Sequence, residues 1–206
     1  MSNSTNRDKI VEVAFLLSLK NGFDRVSIKQ IQEESGLAAG SIYYHFKDKT
    51  EILEFMVNRY LLNNFQGFKH AIMNTNCSFK EKLHFIFHYK STSFNKEEIG
   101  MYSSTLPSFN YKDYFILLMS IYHQYPQIRH LFHEMHDDLF GFYNEMIQEA
   151  VENKEIRDDI DIKSLNIFIQ TSLKGYVDLW LNQPNLLFDE IINANVEMVW
   201  EAIKKQ

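Results

Sequence analysis

The sequence contains one cysteine, Cys77, and three prolines, Pro107, Pro126 and Pro184, in 206 residues. A single thiol excludes an intramolecular disulfide and suits a reducing, cytoplasmic setting. Cys77 itself reads as a small apolar residue ahead of a helix rather than a redox sensor. With so few prolines and only seven glycines, long stretches are free of helix breakers, which favours an all-α fold. No apolar run approaches a membrane span and the opening MSNSTNRDK lacks an apolar signal core, so no membrane partner is expected. Internal repeats and low-complexity segments are missing too. So are a glycine-rich phosphate loop, a nucleophile motif and a compact metal constellation, which argues against an enzyme and against a cofactor or metal. Positive charge is not in excess either: the formal charge is −6. Residues 1–60, however, hold eight basic and eight acidic side chains. The negative excess therefore lies after them, and the N-terminal part needs only a local basic face to approach a polyanion.

What is present is concentrated in Val26–Lys49, VSIKQIQEESGLAAGSIYYHFKDK. Ser27 with Gln30 three residues on is a capping box, and Gly36 supplies the left-handed residue that ends a helix. A second, short helix begins near Ala38 or Ala39 and carries Ile42 and Phe46 inward, four apart. Asp48 with Glu51 forms another capping box and opens a third, long helix, expected to run to the Asn74-Thr-Asn loop. Helix, glycine turn and short helix make a helix-turn-helix, whose second helix enters a major groove. Ahead of it, Asn6 to Lys20 reads as a helix with Ile10, Val13, Ala14 and Leu17 inward and Gly22 as its stop.

Taken together, Ile10 to Val57 resembles the DNA-binding domain of the TetR (tetracycline repressor) family of transcriptional regulators. Gly22-Phe23, the Ser27 start, the small residues before the short helix, and Gly40-Ser-Ile-Tyr-Tyr-His-Phe running into Lys49 carry the likeness. The resemblance implies a helix-turn-helix DNA-binding domain over residues 1–47. A helical effector-binding and dimerisation domain would follow over residues 48–206. It implies a homodimer on a palindromic double-stranded operator, with recognition helices ~34–36 Å apart. Repression, relieved by a small-molecule effector, is the family's usual mode. Carried onto this chain, Ser27, Tyr43, His45 and Lys49 hold phosphates, with Lys47 adding to the clamp. Lys29, Ser41 and Tyr44 are base-edge candidates, and Ala39 and Gly40 pack against thymine methyls or the sugar wall. Tyr43 has a second reading, as core. Where the family often places a hydroxyl residue followed by a polar or basic one, this chain has Ala38 and Ala39. Fewer side chains are left to read bases directly, and DNA shape gains weight.

Beyond the third helix, Ser78 with Glu81 is a further capping box. His84 and His88 have the spacing of two metal ligands but sit beside Lys80 and Glu81, as on a solvated face. Asn95–Asn110 reads as a short helix and loop, Tyr111–Tyr125 as an aromatic helix, and Pro126 as the first turn of a helix reaching Asn153. His130, His133 and His136 on that helix are a poor ligand set, His136 alone lying at the edge of its apolar stripe. The helix Ile162–Leu181 is apolar nearly all round, save a line of Asn166, Gln170, Lys174 and Asp178. Lys174 and Asp178 read either as a surface pair or, with Gln170, as cavity groups.

A mainly apolar cavity for a hydrophobic or aromatic effector is expected among Tyr89, Met119, Tyr122, Phe132, Met135, His136, Tyr143, Gln170 and Lys174. Self-association through the last two helices, at Phe168, Gly175, Leu179, Val199 and Trp200, would bury faces a single chain leaves uncovered. Two rival readings are an architectural DNA-binding dimer without effector and a histidine- or metal-dependent enzyme.

Overall fold

The computed structural model describes residues 5–73, 75–88, 111–183 and 185–205. Tyr89 and the short helix and loop expected over Asn95–Asn110 lie outside the described residues. Among those described, regular structure is helical, with one isolated bridge between Ile156 and Lys204. The chain is all-α and divides into two units, one of residues 1–66 and 105–135, the other of residues 67–104 and 136–206.

The first unit is built on α1 (Asn6–Asn21), which packs against α2 (Ile28–Ser35), α3 (Ala39–His45), α4 (Lys49–Val57) and α7 (Tyr111–Gln124). Thr5 and Asp8 form a capping box at the start of α1, and Gly22, at φ 81°, ends it. The buried face of α1 is rotated from the expected one: Ile10, Val11, Ala14, Phe15 and Ser18 are inside, whereas Val13 and Leu17 are only partly buried. Ser18 lies in this core because its hydroxyl donates to the Ala14 carbonyl at 2.5 Å, which satisfies the group inside the helix. Phe15 stacks on Tyr60 with ring centroids 4.3 Å apart and meets Tyr114 edge-on at 6.2 Å.

The long helix expected from Asp48 is interrupted. After α4 comes a π-helical turn, Asn58–Leu62, and only then α5 (Asn63–Met73). The Tyr60 carbonyl in that turn accepts a hydrogen bond from the Tyr114 hydroxyl of α7 at 3.1 Å. Burial, partly opposed by the Arg59 guanidinium, pushes the Tyr60 phenol up to about 12. The cap of α4 also differs in detail. Asp48 accepts from the Glu51 amide at 2.9 Å, but the Glu51 carboxylate takes the Lys47 amide, at 2.7 Å, instead of the Asp48 amide.

Asp8 pairs with Arg59, tying the start of α1 to the π turn. Burial alone would raise the Asp8 carboxyl; hydrogen bonds from Thr5 and the Arg59 charge outweigh it and hold Asp8 below its ordinary 3.8. A carboxyl whose folded-state pKa is depressed stabilises the fold above its unfolded value, and that contribution disappears as pH falls through the folded value. Asp8→Asn should therefore flatten the acid limb of a stability–pH curve below about pH 4. An acid limb identical to wild type would mean that the Asp8–Arg59 pair carries no linkage.

In the second unit, α6 (Phe79–His88) packs on α10 (Phe188–Ile203), which also packs on α9 (Ile162–Asn182). The Ser78–Glu81 box starts α6, with 2.7 Å from the Ser78 amide to the Glu81 carboxylate. The Tyr176 hydroxyl of α9 donates to the Phe87 carbonyl at 2.9 Å, and the nearly buried Lys82 ammonium donates to Glu149 at 2.8 Å. Pro126 opens a 3₁₀ turn that runs into α8 (Arg129–Glu152). Asn166, the first residue of the polar line on α9, is fully buried. Its amide donates to the Phe140 carbonyl at 2.8 Å and to the Asn144 side chain at 2.7 Å, while its oxygen accepts from Gln170 at 2.6 Å. A buried amide with every group paired costs little and fixes one docking register for α9. Burial, partly opposed by the Lys82 charge, pushes the Cys77 thiol up, which disfavours the thiolate.

Candidate DNA-binding site

The helix-turn-helix is drawn by local chemistry. Ser27 accepts from the Gln30 amide at 3.2 Å and its own amide donates to the Gln30 side chain at 2.8 Å. Gly36, at φ 65°, turns the chain out of α2. Val26, Ile31, Ile42 and Phe46 are buried and hold α3 against the other helices, so the remaining residues of α3 are presented outward. Tyr43 is 60% and Tyr44 85% exposed. The reading of Tyr43 as mainly core does not hold, because more than half of its surface lies in solvent. Gly40 is exposed, and a Cβ there would meet nothing within 4 Å. Ala38 begins α3 without any side-chain cap. His45 is half-buried and meets Tyr44 edge-on at 5.1 Å. Ser41 and Ala39 are half-buried on the same short helix.

Around this helix lie exposed cations. Lys29 is exposed and only loosely paired with Glu33, at 3.8 Å; a pair in full solvent offers little resistance to a stronger anion. Lys47 is exposed. Lys49 is engaged differently from the sequence expectation. Its ammonium donates to the Asp24 carbonyl at 2.9 Å and sits 4.6 Å from the Phe23 ring centroid, pinning the 3₁₀ turn Phe23–Arg25 to the start of α4. Burial lowers its pKa, with Asp24 partly opposing. An ammonium has three donors, so this anchorage leaves hydrogens for a phosphate.

One contributor was missed by sequence reasoning. Arg7 lies over Phe55 and Phe46, 4.1 and 5.3 Å from their centroids, and so braces the end of α3 against α4. Nothing local signals this, because the rings lie some forty residues further along the chain.

The family model for bacterial regulatory proteins of the tetR family matches residues 10–56, the stretch whose geometry has just been described. Residues 10–56 form a TetR-family DNA-binding domain. Over 54 residues it is 35% identical to an HTH-type transcriptional regulator of Staphylococcus aureus (strain USA300), covering 26% of this chain and 29% of that protein. This sequence likeness thus spans less than a third of the relative's length. The fold likeness spans nearly all of the chain. A transcriptional regulator from Saccharomonospora viridis, in complex with choline, matches with TM-score 0.77 at 17% identity, covering 97% of this chain and 98% of that one. Bacillus subtilis FadR, in complex with stearoyl-CoA, matches with TM-score 0.62 at 18% identity, covering 93% and 96%.

The residues expected to line an effector cavity are divided between the units. Tyr122, Phe132 and Met135 belong to the first unit, where they pack on its core and Tyr122 meets Phe132 edge-on at 5.5 Å. Met119 is 46% exposed. Tyr143, His136, Gln170 and Lys174 belong to the second unit. Tyr143 is buried there, which raises its phenol strongly; His136 and Gln170 are half-buried and Lys174 is exposed. Met119 and Lys174 are thus open to solvent rather than enclosed among the described residues. A cleft of about 440 Å³ in the first unit, lined by Lys20, Asn21, Asp113, Ser120 and Gln124 among others, contains none of the expected ligand residues. His130 and His133 are exposed, the first 3.0 Å from the Gln127 carbonyl and the second 3.1 Å from the Tyr122 hydroxyl, so they do not converge. Among the described residues no helix is long and apolar enough to cross a membrane.

The expected dimer residues also separate. Phe168 is 51% and Leu179 41% exposed on α9, and Gly175 between them is exposed as well. Val199 is buried at 1% exposure within its own chain, with Ile191, Ile192, Val196 and Ile203 on the face of α10 that α6 and α9 cover. That overturns the expectation that this face lacks a partner. Trp200 is half-buried, with the Lys80 ammonium 5.7 Å from its ring.

Proposed function

We propose that this chain is a ligand-responsive transcriptional repressor that binds a palindromic operator as a homodimer and leaves it when a small hydrophobic or aromatic effector binds. The observation carrying the reading is the outward display of Tyr43 and Tyr44 on α3, flanked by Ser27, Lys29, Lys47 and Lys49. On a short helix in the major groove, Tyr44, Ser41 and Lys29 meet base edges. Ser27, Tyr43, His45, Lys47 and Lys49 meet phosphates. Ala39 and Gly40 permit close approach to thymine methyls or sugars. Two α9 faces, each with Ile167, Phe168 and Leu179 in solvent, bury one another across a two-fold axis. The complexes of fold relatives with choline and with stearoyl-CoA support a ligand in the helical part while leaving its chemistry open between a cation and a lipid. An effector that favours one spacing of the recognition helices shifts the population away from the other, and operator DNA weakens effector binding by the same factor.

Selection of duplex DNA from a random pool by the purified full-length protein tests the reading. Enrichment of an inverted repeat with half-sites about one or two helical turns apart is expected. Enrichment of no sequence would refute a specific regulator. On the selected site, Tyr44→Ala should lose about 1–3 kcal/mol of discrimination between the preferred base and its alternatives. Lys47→Ala should weaken all sites alike and reduce the salt slope by about one for each half-site. Unchanged base preference in Tyr44→Ala would remove Tyr44 from the reading face.

A further inference from the structure

Arg7 is a cation of the first unit that the helix-turn-helix leaves unused. It stands in the first turn of α1, where a positive charge opposes the helix dipole, so helix stability does not account for it. Its guanidinium carbon lies 4.1 Å from the Phe55 ring centroid and 5.3 Å from that of Phe46. Phe46 is the residue that ends α3, between His45 and Lys47. The two rings therefore hold a fixed charge at the end of the recognition helix, beside two proposed phosphate contacts. Arg59, in the π turn, is taken by Asp8. Arg7 has no carboxylate partner among the described residues, and its Nε is buried without a hydrogen bond. Its two terminal nitrogens are not enclosed in that way, the residue as a whole being half-buried.

We propose that Arg7 binds a backbone phosphate at the flank of each operator half-site, a role that rests on the DNA-binding reading above. A guanidinium is charged at every working pH, and its planar fork fits two oxygens of one phosphate. A half-desolvated charge with no anion is costly in the free protein, and the ring contacts offset only part of that cost. A phosphate supplies the missing counter-charge through the stronger, charge-assisted kind of hydrogen bond. Packing on two rings also orders the side chain before DNA arrives, so less rotamer freedom is lost on binding. Phe46 is buried and points away from the side of α3 that carries Tyr44. A guanidinium on its ring flanks the base-reading face without sharing it, which suits contact with the strand and not with base edges.

The test is the salt dependence of binding by the full-length protein, measured on its selected operator and on an unrelated duplex, with thermal melting of each variant. Arg7→Met keeps an apolar arm against the rings and removes the charge. It should weaken operator binding by about tenfold for each half-site and reduce the slope of log affinity against log salt by about one for each half-site. Preference among operator bases should stay as in wild type. Arg7→Lys, which keeps a charge on a flexible arm, should retain the wild-type slope. A role confined to bracing α3 against α4 would act through the thermal midpoint and leave the slope alone, so an Arg7→Met protein with the wild-type slope would overturn the phosphate contact. Wild-type protein that binds neither duplex would overturn the DNA-binding reading and the contact together.

Discussion

Replacing Phe15 with alanine should destabilise the first unit by about 3–5 kcal/mol, read as a fall in the urea midpoint with an unchanged slope. Phe15 is 2% exposed and touches partners from two separate segments: it stacks on Tyr60 of the π turn at 4.3 Å and meets Tyr114 of α7 at 6.2 Å. Truncation removes the transfer energy of the ring and leaves a cavity walled by two other aromatics, which cannot collapse without breaking the Tyr114–Tyr60 hydrogen bond. The lost stack adds about 0.5–1.5 kcal/mol to the area term. Against the 5–15 kcal/mol typical of a whole protein, that loss is a large share, and DNA binding at elevated temperature should fail with it. Phe15→Leu keeps most of the volume and should recover more than half of the loss. A midpoint unchanged in Phe15→Ala would mean that the three rings do not form the structural centre of the unit.

How much of this was legible in the sequence follows from the range of the interactions involved. Caps act over three or four residues, so Ser27 with Gln30, Gly22, Gly36 and Ser78 with Glu81 gave their helix ends directly. The recognition helix was legible for the same reason: Ile42 and Phe46, four apart, fix its inner face and leave Tyr43 and Tyr44 outside. The π turn was not legible. Asn58–Leu62 contains no glycine or proline, and its carbonyl partner, Tyr114, is 54 residues away. The polar line of α9 did not reveal which of its members is buried: Asn166 is satisfied inside by the Phe140 carbonyl and the Asn144 side chain of α8 and by Gln170 of its own helix, whereas Lys174 and Asp178 are exposed. Val199 failed for a related reason. An apolar stripe shows that a face is buried without showing whether its cover comes from the same chain, and α6 and α9 turned out to supply it.

For the proposed dimer, that correction leaves α9 as the candidate contact and sharpens its test. In the single chain, Ile167, Phe168 and Leu179 are 48%, 51% and 41% exposed. Gly175 and Lys174 lie beside them, and Asp178 follows Lys174 by one turn, exposed as well. A two-fold contact brings residue i against j and j against i, so Lys174 and Asp178 are complementary to the same pair on a second copy, framing an apolar centre. Phe168→Glu would put two carboxylates into that centre, near each other and away from water, a cost the interface cannot offset. The variant should be a monomer by sedimentation at concentrations where wild type is a dimer, with unchanged helical content, since Phe168 lies outside the core with 51% of its surface in solvent. Its operator affinity should fall by about 10²–10⁴, because the second half-site then no longer benefits from the effective concentration that dimerisation provides, while affinity for an isolated half-site stays the same. A Phe168→Glu protein that remains dimeric, or whose half-site and full-site affinities fall together, would place the contact between copies elsewhere. Val199→Ala should behave in the opposite way: it loosens the core of the second unit, lowering the thermal midpoint, and leaves the mass of the assembly unchanged.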